Sequence, residues 1–227
     1  MDEQGMGKTE WQGVKATLSD MAEDYDDTNN KISLGMVNGW RTRAARESQG
    51  IDTALEIGSG PGTLAVKLMS KKIICLDPLP KMHDAAKRRI PSDMLEKFEF
   101  IVGSGEEIPL ADESVDIVYC SFSFRDFYDK QKGLSEIRRV LKKNGRLVIL
   151  DIGKPGKIRN ALMHFYFRNV APILAPKNRQ QMRWLAKTYK AFGSPAYYSD
   201  LAAKTGFKKV DIKSLCFGAA FMLLAKK

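Results

Sequence analysis

Three glycines, Gly58, Gly60 and Gly62, follow the apolar run ThrAlaLeuGluIle at 53–57. Glycines at this spacing after a strand let a ligand approach the backbone closely. The details disfavour a phosphate. Thr63 stands where a dinucleotide-binding fingerprint would carry its last glycine, and Pro61 removes one amide donor. Glu56 adds a carboxylate two residues before the first glycine, which opposes a pyrophosphate and favours a cation. Asp77 ends the next apolar run, IleIleCysLeuAsp at 73–77, where a carboxylate accepts the two hydroxyls of a ribose. A cationic nucleoside without phosphate satisfies both carboxylates, and S-adenosylmethionine is such a molecule.

The elements that must position these groups alternate between short apolar runs and helical patterns, the signature of βαβ units. Further strands are expected at 98–102, 115–120 and 146–152, and helices near 62–70, 81–89 and 130–142, the last closing on LysLysAsnGly with Gly145 as its cap. Residues 199–207 read as a helix with Ser199 as N-cap, and two last strands meet at Phe217–Gly218 as an antiparallel hairpin. The predicted fold is a doubly wound, Rossmann-like α/β domain with a mostly parallel seven-stranded sheet. An N-terminal tail and helices (1–50) precede that domain (51–227), and a helical lid (155–192) interrupts it after the fifth strand.

At 227 residues, with 44% apolar and 28% charged residues, the chain has the composition of a globular domain. Cys75, Cys120 and Cys216 lie in apolar runs without a CxxC pair, which predicts buried free thiols and a cytoplasmic protein. Two histidines and no Cys/His cluster give no metal site. The net charge of +10 sits entirely in the last third: residues 151–195 carry nine basic side chains against the single acid Asp151.

The stretches AEDYDDTNNKISLG (22–35) with Trp40-Arg41, EIGSGPG (56–62), IPLADESVDIVYCSFSFRDF (108–127) and GRLVILDIGKP (145–155) together make the chain resemble a known family. It is similar to class I S-adenosylmethionine-dependent methyltransferases, and among them to the menaquinone/ubiquinone-biosynthesis C-methyltransferases. That resemblance implies C-methylation of a quinol-type ring. The expected cofactor contacts are Glu56, Gly58, Ser59, Gly60, Pro61 and Gly62, then Asp77, Pro78 and Met82, then Ser104, Gly105 and Glu106, and finally Ser121. Two departures from the family pattern stand out. Ser104 occupies a position where relatives carry an acid or amide for the adenine amine, with Glu106 near enough to substitute. Asp126 replaces the asparagine that follows the family's arginine.

Methyl transfer from a sulfonium requires alignment of donor and acceptor and control of the acceptor's protonation. Arg125 is expected to stabilise an oxyanion on the acceptor ring, with Asp126 or Tyr25 assisting deprotonation. The alternative for Arg125 is a structural ion pair. In the lid, Leu162, Met163, Phe165, Tyr166, Phe167, Ile173 and Leu174 are expected to wall an apolar acceptor pocket. Its cations, among them Arg159, Arg168, Arg183 and Lys187, are candidates for contact with anionic lipid headgroups. His164 reads as a packed or surface residue. Other readings are an O- or N-methyltransferase for a small molecule and, given the basic last third, an RNA methyltransferase. The chain lacks a DPPY-type or paired-cysteine catalytic motif, so no nucleic-acid partner is expected.

Overall fold

The computed structural model describes residues 24–227. The expected N-terminal tail therefore lies, up to residue 23, outside the described residues. Five apolar runs form the parallel strands β1 (Thr53–Ile57), β2 (Lys72–Asp77), β3 (Phe98–Val102), β4 (Val115–Ser121) and β5 (Leu141–Ile152). The antiparallel strands β6 (Lys208–Leu215) and β7 (Ala220–Lys226) complete a seven-stranded sheet of order β3-β2-β1-β4-β5-β7-β6. The order reverses between β1 and β4, and both faces of the sheet are covered. Leu55, Leu76, Val118 and Ile149 are buried on one face, and Ala54, Ile73, Ile117 and Val148 on the other. Coverage on both sides explains why these strands read as near-continuous apolar runs.

Around the sheet lie the helices α1 (Tyr25–Ile32), α2 (Met36–Ala45), α3 (Pro80–Arg89) and α4 (Lys130–Val140). The lid comprises α5 (Lys157–Phe165), a π-helical turn at Tyr166–Val170, α6 (Ala171–Leu174) and α7 (Arg179–Thr188), and α8 (Pro195–Lys204) follows. The lid has its own apolar centre of Phe167, Met182, Tyr189 and Phe192, packed against Tyr25 and Ile32 of α1. Polar ties fix that contact: the Tyr166 hydroxyl donates to the Ile32 carbonyl at 2.8 Å, and Asn178 Nδ2 to Thr28 Oγ1 at 2.6 Å. Asp26 of α1 is held in turn by the Thr63 hydroxyl and by Arg89 of α3. No helix among the described residues is long and apolar enough to cross a membrane.

Four local expectations are corrected. The segment after Gly62 forms only a 3-10 turn at Ala65–Lys67, because Gly60 and Gly62 take φ of +52° and +74° and the next bonds run from Lys67 to Leu64 and from Leu68 to Ala65. Helix α4 ends at Val140, and Gly145 does not cap it. Leu141 enters the core, Lys142 pairs with Asp116 at 2.9 Å, and LysLysAsnGly becomes an irregularity within β5. Helix α8 starts four residues before the expected Ser199, where the Ser194 hydroxyl caps the Tyr197 amide and Pro195 opens the first turn. Cys216 is half-buried in the turn between β6 and β7, not within a strand, whereas Cys75 and Cys120 are buried free thiols.

Candidate active site

The carboxyl ends of β1 and β4 meet where the strand order reverses, the usual ligand crevice of such a sheet. Ser123 Oγ donates to the Ile57 carbonyl at 2.6 Å and ties the two ends together. A side chain at Gly58 would bring its Cβ within 2.5 Å of the Ser123 Cβ, and the residue sits at φ +65°, so this position requires glycine. At the end of β2 the Asp77 carboxylate accepts the Gly60 amide at 2.8 Å and the Leu79 amide at 2.9 Å. Burial raises its pKa to about 6 against the pull of those two bonds.

A cavity of about 690 Å³ opens here. Tyr25, Gly58, Gly60, Asp77, Pro78, Met82, Ser104, Gly105, Glu106, Arg125 and Asp126, all singled out in the sequence, line it. Ser59, Pro61, Gly62, Ser121 and Glu56 lie outside the lining. Gly62 serves the approach of α3, since a Cβ there would stand 3.1 Å from Ala86. Ser121 is buried with a hydroxyl that has no partner among the described residues. Glu56 is buried beneath the loop with one carboxyl oxygen likewise unpartnered. Burial raises it to about 8, and nearby Arg41 only partly counters that rise. Burial thus works against the anionic charge that the sequence reading gives Glu56.

Glu106 is buried beside Ser104, accepts the Tyr128 amide at 2.8 Å, and is raised by burial. At the far end of the cavity, Arg125 Nη1 donates to Asp151 Oδ1 at 2.6 Å, and the Arg125 amide donates to Oδ2 of the same carboxylate at 3.1 Å. Asp126 lies 3.7 Å from Arg125 Nε. Burial pulls the Arg125 pKa down, but Asp151, Asp126 and Tyr25 more than offset it, so the group stays charged. Asp126 is pushed to about 6 by burial, with Arg125 opposing the rise and Asp151 adding to it. Buried Lys130 donates to the carbonyls of Arg125 and Phe127 and so fixes this turn from below.

A second cavity, of about 830 Å³, lies beyond. Its walls are mostly apolar: Ile32, Val37 and Trp40 on the α1–α2 side, Ile152 on β5, and Met163, Tyr166, Phe167 and Leu185 from the lid. Phe122 and Arg125 line both cavities and form the junction between them. Phe122 holds a strained φ of +59° and lies between Arg41 (5.4 Å) and Arg125 (5.9 Å). Of the expected lid walls, Met163, Tyr166 and Phe167 face this cavity, whereas Leu162, Phe165 and Ile173 turn outward at 62%, 59% and 70% exposure. Leu174 is half-buried and outside the lining, and His164 lies in an outer groove beside Arg168.

Sequence reasoning missed Asp151, Arg41 and Phe122 as parts of the site. A lone acid inside ArgLeuValIleLeuAspIle signals Asp151, because a buried carboxylate needs a partner. Arg41 and Phe122 lie in the stretches that carry the family resemblance, but neither residue type by itself points to a place at the junction.

The model of the ubiE/COQ5 methyltransferase family matches residues 6–227. A demethylmenaquinone methyltransferase of Deinococcus radiodurans is 32% identical, covering 95% of this chain and 93% of that protein. A ubiquinone/menaquinone biosynthesis C-methyltransferase of Campylobacter jejuni is 31% identical over 92% of this chain and 95% of its own length. Among solved structures, an S-adenosylmethionine-dependent methyltransferase of Thermotoga maritima, described as a possible histamine N-methyltransferase, superposes with a TM-score of 0.70. It is 19% identical and covers 93% of this chain and 99% of its own, a likeness of fold. The first cavity fits S-adenosylmethionine, the cofactor of these enzymes. Asp77, Ser104, Glu106 and the backbone at Gly58 and Gly60 line it, which are the groups available to hold that cofactor.

Proposed function

Because the chain belongs to the ubiE/COQ5 methyltransferase family and uses S-adenosylmethionine, we propose that it methylates a ring carbon of a prenylated quinol held in the second cavity. The observation that carries this reading is the junction: an apolar chamber meets the cofactor cavity at one buried, always-charged guanidinium. An apolar ring that sets one of its ionisable oxygens against that guanidinium is what such a chamber accommodates. The names of the two bacterial relatives support the same acceptor class.

Asp77, Ser104, Glu106 and the backbone at Gly58 and Gly60 hold the nucleoside, with Pro78 and Met82 against its apolar side. When bound, the cofactor supplies a methyl group activated on a sulfonium. The rest of the chemistry belongs to the chain. Asp126, whose pKa burial pushes up to about 6, takes the proton of a ring hydroxyl, with Tyr25 as the second group placed to pass it on. Arg125 stabilises the resulting oxyanion, which makes the ring carbon nucleophilic. Asp151 holds Arg125 in place. A membrane-dwelling acceptor also accounts for the basic lid, as a surface that meets lipid.

The test is transfer of labelled methyl from S-adenosylmethionine to demethylmenaquinol, to a soluble phenol and to bulk tRNA. This reading requires a new carbon–methyl bond on the first only. Methylation of the phenol oxygen or of tRNA, with demethylmenaquinol untouched, would replace it.

A further inference from the structure

Helix α5 is apolar on two sides. One side sends Met163 into the acceptor cavity, as expected. The other presents Ile158, Leu162 and Phe165 to solvent at 81%, 62% and 59% exposure, spaced so that they form one stripe along the helix. Phe217, 86% exposed at the tip of the β6–β7 turn, adjoins the start of this stripe, because Arg159 Nη1 donates to its carbonyl at 2.8 Å. Four large apolar side chains in water along one edge call for a cover.

The charge beside them says which cover. A groove between the end of α5 and α7 is lined by His164, Arg168, Arg183, Lys187 and Lys190. No ion pair among the described residues engages Arg168, Arg183, Lys187 or Lys190. The only acid of residues 151–195, Asp151, is buried under Arg125. An apolar stripe flanked by uncompensated cations matches an anionic bilayer, whose headgroups meet the cations while its acyl boundary takes the stripe. Leu34, 69% exposed, lines the acceptor cavity, whose opposite wall includes Met163 and Tyr166 of the lid.

We propose that the outer stripe of α5 and the α5–α7 cationic groove form a docking surface for anionic membranes, the phase in which a prenylated acceptor is dissolved. This inference deepens the quinol reading and rests on it for the purpose of docking, but the docking itself is tested without any acceptor.

The full chain is mixed with phosphatidylcholine vesicles, alone or with about one quarter phosphatidylglycerol, and sedimented. The expected result is binding to the anionic vesicles, lost at high salt and about tenfold weaker or more in the double variants L162S/F165S and R168E/K187E. Both variants should keep wild-type affinity for S-adenosylhomocysteine, which shows that they are folded. Equal binding to neutral vesicles, no binding to either, or variants that bind as wild type would overturn the proposal. So would a wild-type dimer in lipid-free solution that L162S/F165S converts to monomer, because a second copy would then cover the stripe. The vesicles contain no acceptor, so failure here leaves the quinol reading standing, and an acceptor assay in detergent micelles can fail without touching the docking result.

Discussion

One carboxylate, Asp151, accepts from Arg125 twice, through the guanidinium at 2.6 Å and through the backbone amide at 3.1 Å. The pair fixes both the side chain and the turn that carries it, at the junction of the two cavities. Removing one member of a buried pair strands the other, at a cost of about 3–5 kcal/mol. Asp151→Asn should therefore lower the melting temperature and reduce kcat, while S-adenosylhomocysteine binding, measured by calorimetry, changes only a few-fold. The double variant Arg125→Met/Asp151→Leu should recover much of the stability and none of the turnover. If Arg125→Ala leaves kcat within a few-fold of wild type, the ion pair is purely structural.

Burial pushes the Asp126 pKa up to about 6, and in the proposed role as base the carboxylate must be ionised. The rate should then rise with pH through that value and level off above it. Asp126→Asn should abolish the acidic limb and lower kcat by roughly 10²–10⁴-fold, the usual weight of general-base assistance. A pH–rate profile of the variant with the same limb would assign the titration elsewhere.

Glu56 yields a prediction about stability. Its folded-state pKa, about 8, exceeds the value of an unfolded glutamate, so the native chain holds a proton that the unfolded chain has released. Stability must then fall as pH rises from ~4.3 toward 8. Glu56→Gln should flatten this slope in cofactor-free protein, read as melting temperature against pH. An unchanged slope would mean that the carboxyl is ionised in the native state.

Phe127 is wedged between two glycines. A Cβ added at Gly105 would lie 2.2 Å from its ring, and one at Gly133 2.4 Å from it. Gly105→Ala and Gly133→Ala should each cost about 1–3 kcal/mol through overpacking, visible in denaturant midpoints. Phe127→Leu should partly rescue either one. Failure of rescue at Gly105 would point to the backbone of the Ser104–Glu107 turn instead of the ring.

The parallel strands and the glycine turn were legible because burial on both faces and positive φ leave direct marks on residue type. The apolar runs and Gly58 carry those marks. The LysLysAsnGly stretch misled because a cationic end followed by glycine looks like a helix stop. The pairing of Lys142 with Asp116 and the burial of Leu141 outweigh that local preference. The place of the lid after the fifth strand and its apolar composition point to a pocket wall, and neither says which side of α5 faces inward. Met163 and Leu162 are neighbours in sequence, yet one lines the second cavity and the other faces solvent.

The central claim is that donor and acceptor occupy separate cavities and meet at Phe122 and Arg125. A crystal structure with S-adenosylhomocysteine and a demethylmenaquinone analogue bound together tests it most directly. The expected result is the nucleoside against Asp77, its sulfur directed toward Phe122, and the quinone ring in the chamber of Trp40 and Met163 with an oxygen at Arg125. A ring found outside that chamber, or a nucleoside bound away from Asp77, would contradict the account.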